Sequence, residues 1–137
     1  MTPEQIGLVQ SSWRQVLGIK EQAAALFYKR LFELDPALQK LFKGDMTEQG
    51  TKLMNMISTA VNGLTRLESI VPAVQELGRR HVRYSVNESD YATVGAALLW
   101  TLERGLGAAF TPAVKQAWTE TYGVLANTMQ QAARYAA

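Results

Sequence analysis

The chain holds one histidine, His81, in the run Leu77-Gly78-Arg79-Arg80-His81. Val74, Leu77 and His81 recur at helical spacing, which puts the imidazole on the apolar face of a helix. No second histidine and no cysteine is available to complete an all-protein metal site. Two chemistries remain. The ring can be a core residue satisfied by a backbone carbonyl, or it can be the one protein ligand of an iron that brings four nitrogens of its own. Absence of cysteine also excludes disulfides, iron–sulfur clusters, thiolate ligation of haem and thioether attachment.

Whatever positions that histidine must be built within 137 residues, a length suited to one domain, 1–137, with a real core. The apolar fraction of 47% is that of a globular chain, not a disordered one. Nothing approaches the run of about 20 apolar residues that spans a bilayer. Met1-Thr2-Pro3-Glu4-Gln5 has no basic region followed by an apolar one, so no signal peptide is expected and the expected compartment is the cytoplasm. The net charge of +2 and a pI of about 9.0 raise the question of nucleic acid. The cations are scattered, with one local cluster at Arg79, Arg80 and Arg83, rather than forming the stripe that tracks a groove, so no nucleic-acid partner is expected.

Helix signals run the length of the chain. Thr2-Pro3-Glu4-Gln5 is a capped start, and Ile6, Val9, Trp13, Val16 and Leu17 form the inner stripe of a helix reaching about Gly18. A second helix covers Lys20 to Leu34 and is broken by Asp35-Pro36. A short helix follows to Leu41, then a corner at Phe42-Lys43-Gly44-Asp45. Thr47 is a candidate cap for the next helix, on which Gln49, Leu53, Met56, Ile57, Ala60 and Leu64 share a face. Pro72 marks a new start for the helix bearing His81. Asn87 or Ser89 caps one carrying Tyr91, Val94, Leu98 and Leu102, closed by Gly107, and Thr111-Pro112 opens the last and longest. No window alternates with period two. The expected fold is all-α, with about seven helices, no repeats and no linker.

That order of elements, the corner phenylalanine and the later histidine resemble the globin family. The likeness is closest to bacterial single-domain globins of the flavohaemoglobin-like group and to neuroglobin. It runs from Trp13 to about Met129 and is carried by Leu26-Phe27-Tyr28-Lys29-Arg30-Leu31-Phe32, Leu41-Phe42, Leu77-Gly78-Arg79-Arg80-His81, Ala108-Ala109-Phe110-Thr111-Pro112, Ala117-Trp118 and Tyr122-Gly123. The resemblance implies a globin fold around haem b, with His81 as the proximal iron ligand and Phe42 stacked on the macrocycle. An offset ring contact of that kind contributes on the order of 1 kcal/mol beyond burial. Leu53, Leu77, Val86, Tyr91 and Val94 would complete the haem-binding wall, and Lys52 and Arg80 could pair with propionates or simply be solvated.

Counting back 32 positions from His81, the family pattern puts Gln49 at the distal position, with Leu53 one turn later and Tyr28 facing the same cavity. A phenol O–H and an amide N–H can both donate to a bound, partly anionic dioxygen, each bond contributing about 1.5–3 kcal/mol. The resemblance thus implies reversible, high-affinity binding of dioxygen, with carbon monoxide and nitric oxide competing, at an iron with an open sixth position. Plain alternatives are a core tyrosine at 28 and a solvated glutamine at 49. Tyr28 as a phenolate ligand of ferric iron is a further one. Gly50 would let two helices cross closely, with Ala24 as its small partner.

The likeness thins on the proximal side. Flavohaemoglobins brace the histidine with a tyrosine and a glutamate; Tyr91 matches the first, but the second falls on Ala133. A carboxylate there would strengthen the imidazole as an electron donor. Its lack tilts the expectation toward gas binding, in storage or transport, and away from the alternative, a nitric oxide dioxygenase served by a separate reductase. A sensory globin without haem is the remaining rival.

Overall fold

The computed structural model describes residues 2–42, 44–83 and 88–136, of which the side chains of 41, 67–70, 81–83, 88 and 132–136 are excepted. Six α-helices account for most of it: α1 Pro3–Leu17, α2 Lys20–Leu34, α3 Met46–Asn62, α4 Leu67–Arg83, α5 Glu88–Leu106 and α6 Pro112–Ala136. Short 3-10 segments cover Pro36–Leu41, Gly63–Arg66 and Gly107–Ala109. The described residues include no strand, and no helix among them is long and apolar enough to cross a membrane.

Local chemistry explains the boundaries. At the start of α1 the Thr2 hydroxyl accepts from the Gln5 amide at 3.1 Å while the Gln5 side chain accepts from Thr2 N–H at 2.9 Å, a reciprocal cap. Asp35 is extended (φ −147°) ahead of Pro36, which ends α2. Gly107 adopts φ +55° after α5, a conformation that costs glycine nothing. At the start of α6 the Thr111 hydroxyl accepts from Val114 N–H at 3.3 Å.

Two expected helix starts are corrected, and of the two caps expected for α5 one is set aside. Asp45, not Thr47, caps α3: its carboxylate accepts from Thr47 N–H at 2.8 Å. A full negative charge at the positive end of the helix dipole outcompetes a hydroxyl two residues later. Pro72 lies inside α4 rather than opening it. The 3-10 turn over Gly63–Arg66 feeds straight into α4, so the chain is already helical at Pro72. The proline then forfeits one ladder hydrogen bond without ending the helix. Ser89 lies within α5, which begins at Glu88; Asn87 is outside the described residues.

The bundle is pinned where α1 meets α6. Trp13 and Trp118 pack with ring centroids 5.9 Å apart. The Trp118 indole N–H donates to the Ser12 hydroxyl and that of Trp13 to the Ser58 hydroxyl, both at 2.8 Å, tying α1 to α6 and to α3. Val9, Val16, Val61 and Leu102 close the core around them. A Cβ added at Gly50 would stand 3.0 Å from that of Ala24, the close α2–α3 crossing expected of this pair. Gly50, Met54 and Val61 are the buried edge of α3. The neighbouring stripe through Leu53, Ile57 and Ala60 is only half-buried, because it faces a cavity.

Candidate functional site

The cavity measures about 290 Å³ and lies between α3, α4, α5 and α6, at the small end of the roughly 300–1,000 Å³ typical of cofactor pockets. Leu53 and Ile57 form one wall, Val74 and Leu77 a second, and Tyr91, Val94 and Leu98 a third. Leu125 and Met129 line the α6 side, and Phe27 of α2 closes one end. Met56, 38% exposed, and the exposed Thr59, Ala73 and Arg80 mark the mouth, between α3 and α4. Arg80 is the one charged lining residue among those described. A slot of apolar walls with a cation at its lip suits a large, flat, apolar molecule with an acidic edge.

Two backbone approaches give the cavity its shape. A Cβ added to Gly78 would meet Met129 backbone, 2.7 Å from its Cα, so α4 and α6 touch backbone to backbone one turn before His81. A Cβ at Gly95 would stand 2.7 Å from the Tyr122 ring. Freed by that gap, the Tyr122 hydroxyl reaches across to donate to the Tyr91 carbonyl at 2.5 Å. Sequence reasoning gave neither glycine a role. Their signal was available, since a glycine inside a helix costs about 1 kcal/mol against alanine and calls for a packing reason.

Beyond Phe27 lies a second cluster. Tyr28 is 7% exposed, edge-on to Phe27 at 5.1 Å and to Phe42 at 5.3 Å, with Phe32 at 6.0 Å. Burial pushes the Tyr28 pKa above its ordinary value, and a hydrogen bond with the Gln49 side chain offsets part of that rise. The phenol is therefore neutral at physiological pH. Gln49 is half-buried and turned toward Tyr28.

The cavity thus brings together Leu53, Leu77, Arg80, Tyr91 and Val94. Tyr28, Gln49 and Phe42 form a cluster with each other and adjoin it through Phe27. Lys52 is not on the cavity wall: its side chain is 68% exposed and its ammonium lies 3.7 Å from Glu48. His81 is in α4, one turn after Leu77, with its side chain outside the described part; Val86 is outside it altogether.

A family model described as Globin matches residues 25–129. The chain belongs to the globin family. This globin is 35% identical over 137 aligned positions to a protein named neuroglobin from Danio rerio, across 90% of this chain and 86% of that one. It is 33% identical over 138 positions to neuroglobins from Chaenocephalus aceratus and Dissostichus mawsoni, across 90% of the chain and 87% of each relative. The matched globin region takes in both the cavity and the Tyr28 cluster, and stops before Ala133. Globins bind diatomic gases at a haem. The donor set fits that group: apolar walls for the macrocycle, one cation at the mouth for its carboxylates, and the helix of His81 alongside.

Proposed function

We propose that this globin holds haem b in the cavity, with His81 as the iron's protein ligand, and reversibly binds dioxygen with high affinity. The haem, when bound, supplies the iron to which a diatomic gas attaches. Phe42 packs against the macrocycle, with Leu53, Leu77, Val86, Tyr91 and Val94 as its apolar wall and Arg80 beside a propionate. Tyr28 and Gln49 donate to the gas, and Leu53 and Phe27 keep water from it. The compartment that goes with this reading is the cytoplasm.

The observation that carries this reading is the burial of the Tyr28 phenol among Phe27, Phe32 and Phe42, with the half-buried Gln49 side chain beside it. A phenol O–H and an amide N–H in an apolar enclosure are suited to serve a polar guest. Turned toward a partly anionic acceptor, each contributes a charge-assisted bond. Burial keeps the Tyr28 phenol protonated and so able to donate. The relatives are named neuroglobins, a group that often closes the iron with a distal histidine; with one histidine in all, this chain keeps the sixth position open to gas. Stopped-flow displacement of dioxygen is the test. Tyr28→Phe should speed release tenfold or more, since one charge-assisted bond of about 1.5–3 kcal/mol is lost; an unaltered rate would take Tyr28 out of the site.

A second reading is favoured by Tyr91, which lines the cavity ten residues after His81 where flavohaemoglobin-like globins brace the ligand. It is nitric oxide dioxygenation: nitric oxide, dioxygen and one electron from a separate reductase give nitrate. Alanine at position 133 weighs against it. Catalytic nitric oxide consumption with a generic reductase would favour this reading, and a single stoichiometric reaction would leave gas binding in place.

A further inference from the structure

We propose that Tyr122 is a positioning residue for the proximal wall of the haem site, acting by clamping the first turn of α5 through the Tyr91 backbone. The inference rests on the reading of His81 as the iron ligand.

Three contacts converge on this clamp. The Tyr122 hydroxyl donates to the Tyr91 carbonyl at 2.5 Å across the α5–α6 interface. The ring that carries it lies flush on Gly95, where a Cβ would come within 2.7 Å. Both tyrosines also face the cavity. One turn of helix separates Tyr91 from Gly95, so the same carbonyl receives the helical N–H of Gly95 and the phenol of Tyr122. Gly95 thus supplies one of the two donors and the space that admits the other. Burial, with Tyr91 as a lesser cause, drives the Tyr122 pKa far above its ordinary value, so the proton stays on the oxygen at any physiological pH.

The need for such a clamp follows from what α6 lacks further on. A carboxylate from that helix could brace the proximal histidine, but residue 133 is alanine. Restraint from α6 is exerted instead about three turns earlier, on the helix that follows His81 in the chain. Packing alone would accept phenylalanine at position 122, and the hydroxyl matters because it fixes where Tyr91 stands. With its proton committed to a carbonyl, Tyr122 is no proton donor to the cavity, so its influence reaches the iron only through Tyr91 and the proximal wall.

The decisive measurement is the iron–histidine stretching band in resonance Raman spectra of the ferrous, gas-free holoprotein. It is recorded for wild type, Tyr122→Phe, Gly95→Ala and Ser12→Ala. Loss of the clamp in Tyr122→Phe, or displacement of the ring in Gly95→Ala, should shift and broaden the band. Haem transfer to an excess of acceptor apoprotein should quicken about fivefold, the effect of one neutral hydrogen bond. Ser12→Ala removes a more deeply buried bond, to Trp118, at the other end of the bundle. It should lower the melting temperature and leave the band in place. An unmoved band in Tyr122→Phe, or an equal shift in Ser12→Ala, overturns the positioning role. A wild-type holoprotein with no such band shows instead that His81 is not the ligand, and the clamp's role at the iron falls with it.

Discussion

The two ends of this bundle are built to opposite specifications. Trp13 and Trp118 are each 2% exposed, and both indole N–H groups are paired. At the other end, Leu53, Ile57, Val74, Leu77 and Met129 are half-buried around open space, and Met56 is 38% exposed. Apolar side chains at helical spacing serve both ends, so the difference is not one of composition. It lies in what completes the core: other side chains at the tryptophan end, an apolar ligand at the cavity end. One region is packed by the chain's own side chains, and the other is lined to take an apolar ligand.

Substitutions that separate the two ends can break this contrast. The largest effect is expected of His81→Ala, which should abolish stable haem retention. Full occupancy with an unchanged ferrous spectrum would remove His81 from the site. Trp118→Ala should cost about 3–5 kcal/mol in the haem-free protein, read by urea unfolding, because it opens a cavity in the packed end. Leu77→Ala at the open end should cost the haem-free protein less than about 2 kcal/mol, yet weaken haem retention clearly. If the two truncations destabilise the haem-free protein equally, the division into a self-sufficient end and a ligand-completed end is wrong.

Gly78→Ala sharpens the comparison, since the added methyl collides with Met129 backbone, which cannot swing aside as a side chain would. A loss of about 1–3 kcal/mol is expected, with haem release accelerated as α4 moves off α6. Alkaline titration probes the buried phenols. Tyr28 and Tyr122 have folded pKa values above the ordinary 10.0, so both states keep the proton below pH 10 and their contribution is whole there. Above that, the unfolded phenols ionise first, and stability should fall as pH rises; Tyr122→Phe should flatten the decline in urea-midpoint measurements. The smallest effect is expected of Lys52→Ala, within about 0.5 kcal/mol on stability, because its pair with Glu48 is exposed. A drop in haem affinity there would restore Lys52 as a propionate partner.

Much of the helical frame was legible from neighbouring residues alone. The Thr2–Gln5 cap, the Asp35-Pro36 break, the Gly107 turn and the Thr111-Pro112 start all depend on groups a few positions apart, and all stand where those signals put them. The errors arose where two local signals competed or where a longer context intervened: Asp45 against Thr47, and a 3-10 turn carrying the helix through Pro72. Of the α3 face expected through Gln49, Leu53, Met56, Ile57, Ala60 and Leu64, the residues Leu53, Ile57 and Ala60 line the cavity, Met56 is 38% exposed at its mouth, and Gln49 lies off its wall. Periodicity says which residues avoid water, but it does not say whether a side chain or a void meets them.

The sequence by itself determined the kinds of groups available: one imidazole, no thiol, and a phenol and an amide on successive helices. Tertiary structure decided which of them meet. Gly78 touches Met129, Gly95 admits Tyr122 and Tyr28 turns to Gln49 across gaps of many residues. Capping and helical period are settled by bonds within a turn or two. The distance between two helix backbones depends instead on side chains far apart in the chain, and only their packing together fixes it.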